Sequence, residues 1–143
     1  MIKKPIFYPT IHLFLLLCVF CQLAFPASAA ATELYEKVII DQGQLHIITR
    51  DHKEIVPSKR TYKLDEETLT QVDFRKAVIS DDKTTVGWLA DYPNCCTSYP
   101  IPLELIIFRN GEILNVFTGT GLPIWKWQFE NKGTLVAFEQ ETV

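Results

Sequence analysis

Two cysteines stand side by side in DYPNCCTSYP, residues 91–100, fenced by prolines. Adjacent thiols can close a vicinal disulfide, clasp a metal, exchange electrons, bridge to another chain or sit reduced in a core. Neighbouring Cα atoms lie about 3.8 Å apart across a trans peptide and about 2.9 Å across a cis one, whereas an ordinary disulfide prefers roughly 4.4–6.8 Å. A Cys95–Cys96 bridge would therefore close a small, strained and easily reduced ring. A zinc site wants four ligands, usually from spaced pairs. Past the leader described below, only His46 and His52 accompany the thiols, about one hairpin away, so no metal is expected. A thioredoxin-type centre needs Cys-x-x-Cys ahead of a helix, and neither condition holds. The pair reads as structural, a vicinal bridge stiffening its loop, with reduced thiols and an intermolecular bridge as the open alternatives. Tyr92 and Tyr99 flank it. Tyr92, Cys95, Cys96 and Tyr99 thus form the candidate binding site, for a protein, peptide or glycan and with no cofactor.

Catalytic patterns are sparse. There is no Gly-x-Ser-x-Gly elbow, no HExxH and no phosphate-cradling glycine loop. Asp81-Asp82 falls in a polar turn, where Asp serves local hydrogen bonds. Glu139 and Glu141 share one face of a terminal strand and could suggest acid–base work, but a solvated strand face accounts for them. Trp88, Trp125 and Trp127 could stack a ligand; alternating aromatics on short strands more commonly fill the space between sheets.

These residues need a compartment and a frame. Lys3 and Lys4, the apolar run LFLLLCVFC (13–21) and the small residues of PASAA (26–30) have the order of a secretory signal peptide, expected to be helical and cleaved after Ala29. The apolar stretch is too interrupted for the roughly 20 residues of a membrane span, so no stable anchor is expected after cleavage. Removing residues 1–29 from 143 leaves 114, one small domain over 30–143. The chain's net charge of −3 becomes −5 once Lys3 and Lys4 are gone. That acidity argues against nucleic acid as a partner. Cys18 and Cys21 leave with the leader, and the exported compartment, periplasmic or extracellular, lets disulfides persist.

The remaining chain reads as strands. Asn110-Gly111 separates two β-rich runs in LELIIFRNGEILNVF (103–117), the signature of a two-residue hairpin. KVIIDQGQLHIITRDHKEIV (37–56) predicts a second hairpin broken at Asp41-Gln42-Gly43. PSKRTYKLDEE (57–67) reads as loop, TLTQVDF (68–74) as a strand, and TELYEKV (32–38) as a short helical turn. IWKWQF (124–129) alternates strictly, setting Trp125, Trp127 and Phe129 on one face and Ile124, Lys126 and Gln128 on the other. The turn Asn131-Lys132-Gly133 leads into TLVAFEQETV, whose open edge invites self-association.

AVISDDKTTVGWLA (77–90) and WQFENKGTLVAFEQ (127–140) superpose at a shift of 50, matching Val86-Gly87-Trp88 with Val136-Ala137-Phe138. The segment Ser80-Asp81-Asp82-Lys83-Thr84-Thr85-Val86-Gly87-Trp88 resembles the blade repeat of TolB-type β-propellers, with Asp81 where proline is usual and Lys83 where glycine is usual. The second copy keeps Gly133, Val136, Ala137 and Phe138 but lacks the serine. The resemblance covers about 60 residues and is also to secreted bacterial proteins of unassigned function. It implies an all-β, antiparallel meander of blade-like hairpins, and a role as a binding platform. A closed propeller needs at least four blades, roughly 160 residues, so the expectation is either a small open meander of blade-like units or a partial propeller that is incomplete at the C-terminus. The expected function is that of an exported, non-catalytic binding module working through the 91–102 loop. The alternatives are a fragment or accessory domain of a propeller-carrying hydrolase, and a structural piece of an envelope assembly.

Overall fold

The computed structural model describes residues 32–95, 98–119 and 122–141; the expected leader and Cys96 lie outside them. Eleven strands follow one another: β1 (Tyr35–Asp41), β2 (Gln44–Thr49), β3 (Glu54–Ile55), β4 (Thr61–Leu64), β5 (Glu67–Thr70), β6 (Asp73–Ile79), β7 (Thr85–Tyr92), β8 (Ile101–Arg109), β9 (Glu112–Thr118), β10 (Ile124–Glu130) and β11 (Leu135–Gln140). Every pairing among them is antiparallel. The fold is all-β and does not close into a barrel, as the sequence leads one to expect. No helix among the described residues is long and apolar enough to cross a membrane.

Turn chemistry sets the registers. Asn110 and Gly111 take φ of 52° and 78°, the left-handed pair that lets β8 fold directly back as β9. Gln42 and Gly43 do the same between β1 and β2, at 47° and 71°. Between β6 and β7, the Ser80 hydroxyl donates to Asp82 Oδ1 at 2.6 Å, and the Thr84 N–H donates to the same oxygen at 3.1 Å. Asp82 is thereby held below the usual carboxylate range, the Ser80 hydrogen bond contributing most. The Asp81-Asp82 pair is turn chemistry.

The strands sort into a central four-stranded sheet, β6-β7-β8-β9, a three-stranded sheet, β1-β2-β3, and two hairpins, β4-β5 and β10-β11. β7 is buried throughout and β8 from Pro102 to Phe108, because the central sheet is covered on both faces. On the first face Val86, Trp88, Ala90 and Tyr92 pack with side chains from all five strands β1 to β5, among them Leu45, Ile47 and Tyr62. On the second face, among the described residues, Leu89, Leu105 and Ile107 are covered by the β10-β11 hairpin alone, through Ile124, Trp127, Phe129 and Val136.

Four segments differ from the sequence reading. Residues 57–67 are not all loop, since β4 carries the buried Tyr62 inside a polar stretch whose short alternation gives little periodic signal. Residues 32–38 make no helical turn; β1 begins at Tyr35, fixed by its N–H donating to the Lys83 carbonyl at 2.7 Å. The strand expected over 68–74 breaks at Gln71-Val72, dividing between β5 and β6. Ile124 is buried, because a register shift between Ile124 and Lys126 returns it to the face that Trp127 and Phe129 use.

Candidate functional site at the loop end of the central sheet

β7 runs on to Tyr92 and β8 starts at Ile101, so the connecting loop is 93–100 rather than 91–102, and Pro102 pairs with Asp91 inside the ladder. The candidate binding residues part company here. Tyr92 is fully buried, its ring 5.5 Å from that of Tyr62 and its hydroxyl donating to Glu104 Oε2 at 2.5 Å. It therefore offers no ring face to a ligand and belongs to the core. Tyr99 is 49 % exposed and Cys95 is exposed, so both stand on the loop surface. Cys96, and with it the expected vicinal bridge, lies outside the described residues.

Two acids that the sequence did not single out hold this end together, one on each face. Glu104, its side chain 4 % exposed, faces the first side, where Arg60 Nε donates to it at 3.0 Å beside the Tyr92 hydroxyl. Burial, then the hydrogen bond to Glu104, push the Tyr92 hydroxyl far above its usual range, so it stays a donor. The hydrogen bond that Arg60 donates to Glu104 likewise raises the arginine above its usual range. Gln71 locks the arginine's backbone, accepting from the Arg60 N–H at 3.1 Å while its own side-chain amide donates to the Asp73 carbonyl at 2.9 Å.

Asp91, its side chain 3 % exposed, faces the second side and pairs with Arg75 at 2.6 Å. Its other oxygen, Oδ1, is buried with no hydrogen-bond partner. Burial raises this carboxyl to about 6; Arg75 pulls it down and Asp73, its neighbour across the ladder, adds a smaller push upward. Arg75 also reaches the Pro100 carbonyl at 3.5 Å and lies 5.8 Å from the Trp125 ring centroid. One guanidinium thus links β6, the end of β7, the end of the loop and β10. Glu104 was legible in principle as an acid inside the apolar run LELIIF, an arrangement that requires a partner.

The remaining candidates sit elsewhere. Trp127 packs on the second face and donates Nε1–H to the Lys76 carbonyl at 3.1 Å, while Trp125, displaced by the β10 register shift, lies on Arg75 at the surface. Glu139 pairs with Lys126 at 3.0 Å on an exposed face, and Glu141 is exposed. His46 Nδ1 meets Glu54 Oε1 at 2.6 Å, and His52 sits in the turn after β2 at φ 64°. Among the described residues no three His, Cys, Asp or Glu side chains are placed to hold a metal ion. The chemistry at the loop end is anchoring: two buried acids, each paired with a part-buried arginine, hold the base of a loop on which Cys95 and Tyr99 are exposed. No protein-family model, curated protein or solved structure matches the chain.

Proposed function

We propose that the protein is exported, is cleaved after Ala29, and acts in the periplasmic or extracellular space as a non-catalytic binding module that presents the 93–100 loop to a protein, peptide or glycan. The observation that supports this reading is the half-exposed Tyr99 on a loop pinned at both ends by buried charge, Tyr92–Glu104–Arg60 on one side and Asp91–Arg75 on the other. A loop held in advance loses less conformational freedom on binding, and an aromatic ring gives large contact area for few rotatable bonds. A vicinal Cys95–Cys96 bridge would restrict it further.

Three measurements test the reading. Exported protein should begin at Ala30 within two residues; intact Met1-containing protein in the envelope would overturn export. On peptide and glycan arrays the exported protein should show saturable binding that Tyr99→Ala abolishes while its unfolding midpoint stays put; binding at wild-type strength by Tyr99→Ala would move the site off the loop. Protein denatured without reductant should resist thiol alkylation yet run as a monomer on a non-reducing gel, and two readily alkylated thiols would dispose of the bridge.

A further inference from the structure

The β10-β11 hairpin lays two strands over the second face of a four-stranded sheet, and among the described residues β11 pairs with β10 alone. Alongside the other edge of β11 runs a cleft of about 560 Å³. Its wall is Gly133 to Val136, and its floor includes Ile107 and Arg109 of β8 with Leu114 and Phe117 of β9. No β10 residue lines it, so it lies beyond β11 on the side where a next strand would pair. Leu114 and Leu135, at its two sides, are each 60 % exposed. An unpaired strand edge over an apolar floor has the two elements of strand addition: backbone groups for affinity and seats for alternate side chains.

We propose that β11 accepts an extended acidic–apolar peptide strand from another protein, its inward apolar side chains seated on Leu114 and Phe117 and an inward carboxylate meeting Arg109. Among the described residues Arg109 is the only charged side chain lining the cleft. It is held in place from below, Nε donating to Thr85 Oγ1 at 3.0 Å and Nη2 to Thr84 Oγ1 at 2.7 Å. Its Nη2 also lies 3.9 Å from Asp82 Oδ2, a loose and part-exposed pair that a closer carboxylate would have to outcompete.

A second copy meets this charge poorly. Val136 packs toward the central sheet and Phe138 touches Phe117, with ring centroids 5.5 Å apart, so the even-numbered residues of β11 face inward. Glu139 pairs with Lys126 on the outer side. Antiparallel pairing keeps opposed side chains on the same face. A partner β11 would therefore turn Glu139 away from Arg109 and present Val136 and Phe138 to it. This interface is separate from the 93–100 loop.

The test uses whole exported protein and three fluorescent ten-residue probes: a strand of alternating threonine and valine in which one valine is replaced by glutamate, so that apolar side chains and one carboxylate share a face, the same strand with lysine in place of that glutamate, and the glutamate strand with three of its threonines replaced by proline. The glutamate probe should bind saturably, the lysine probe at least tenfold more weakly, and the proline probe not at all. Leu114→Glu should weaken the glutamate probe at least tenfold with an unchanged circular dichroism spectrum, and Arg109→Gln should narrow the gap between the first two probes. Tyr99→Ala should leave all three affinities unchanged, so this interface and the loop can fail separately. Equal binding of the acidic and basic probes, or no binding of either, overturns the proposal. So does concentration-dependent dimerisation in sedimentation that Leu114→Glu abolishes, because a second copy then fills the cleft.

Discussion

The first face of the central sheet meets five strands and the second meets two, and the acids at the loop end differ in the same sense. Glu104, on the thickly covered face, has a cation and a phenol for partners. Asp91, on the thinly covered face, has one arginine and an unpartnered oxygen. Coverage decides this. The segment between β3 and β6 brings Arg60, Gln71 and Tyr62 to the first face, so a complete polar cluster can be built around Glu104 inside the apolar packing. Among the described residues the second face receives a single hairpin, whose bulged start leaves Trp125 to stack on Arg75 at the surface. Thick cover is not faultless, since the Trp88 indole N–H is buried there without an acceptor.

The largest effect should come from breaking the complete cluster. Arg60→Ala would strand a buried carboxylate, and removing one partner of a buried pair costs about 3–5 kcal/mol. The loss should appear in the denaturant midpoint at pH 7. Adding Glu104→Gln to the same chain should restore most of it, because the uncompensated charge, not the arginine's packing, is the main cost. A double variant as unstable as Arg60→Ala alone would show that Arg60 matters for its contacts and that the two faces are not distinguished by charge pairing.

How much of this was readable beforehand follows from how local each signal is. The Asn110-Gly111 and Gln42-Gly43 turns carry their geometry in the residues themselves, so both hairpins and the antiparallel all-β class could be read directly. The alternation of IWKWQF was visible, but the register shift at its start was not, because a bulge depends on the partner strand. Tyr92 beside the cysteines looked like part of a surface and is core, since its place depends on Tyr62 and Glu104 arriving from elsewhere in the chain. Arg60 and Glu104 are 44 residues apart, and no spacing rule links them. Local turn chemistry was legible; charge partners brought together by sheet stacking were not.

The next effect isolates Asp91. Its carboxyl is raised to about 6 in the fold from a reference of 3.8. The folded state therefore holds a proton that the unfolded state releases between these values. The stability this group contributes is fully present below about pH 4 and is lost as pH rises through about 6, the reverse of ordinary acid denaturation. At 1.36 kcal/mol per unit the swing is about 3 kcal/mol. Unfolding free energies of wild type and Asp91→Asn, measured from pH 4 to 7, should diverge by that amount, the variant gaining relative to wild type toward neutral pH. Parallel profiles would place the Asp91 carboxylate in contact with solvent and remove the contrast with Glu104.

A smaller change tests the hairpin's seat on the second face. A Cβ built on Gly87 would lie 2.5 Å from Trp127 Cη2, 2.9 Å from Cζ3 and 3.3 Å from Ile107 Cδ1. Only the bare backbone lets the indole lie flat on β7. Gly87→Ala should cost about 1–3 kcal/mol by overpacking, and it should shift tryptophan emission as the ring lifts and its hydrogen bond to the Lys76 carbonyl lengthens. An unchanged midpoint with unchanged emission would mean that the hairpin rides more loosely than its contacts indicate.

The smallest expected effect concerns Trp125, which alternation alone would put in the core beside Trp127. Because β10 is bulged at this point, Trp125 sits half-buried at the surface with the Arg75 guanidinium 5.8 Å from its ring centroid. A cation–π contact at such a site is worth about 0.5–1 kcal/mol, so Trp125→Ala should lower stability by about 1 kcal/mol, against about 3 kcal/mol or more for loss of a fully buried tryptophan. The same change removes the cover over Arg75, which donates to both Asp91 and the Pro100 carbonyl. Amide exchange in the 93–100 loop should therefore quicken more than the loss of global stability accounts for. A Trp125→Ala protein that loses several kcal/mol would put this ring back in the core. One that leaves loop exchange untouched would show that Arg75 holds the loop end without help from β10.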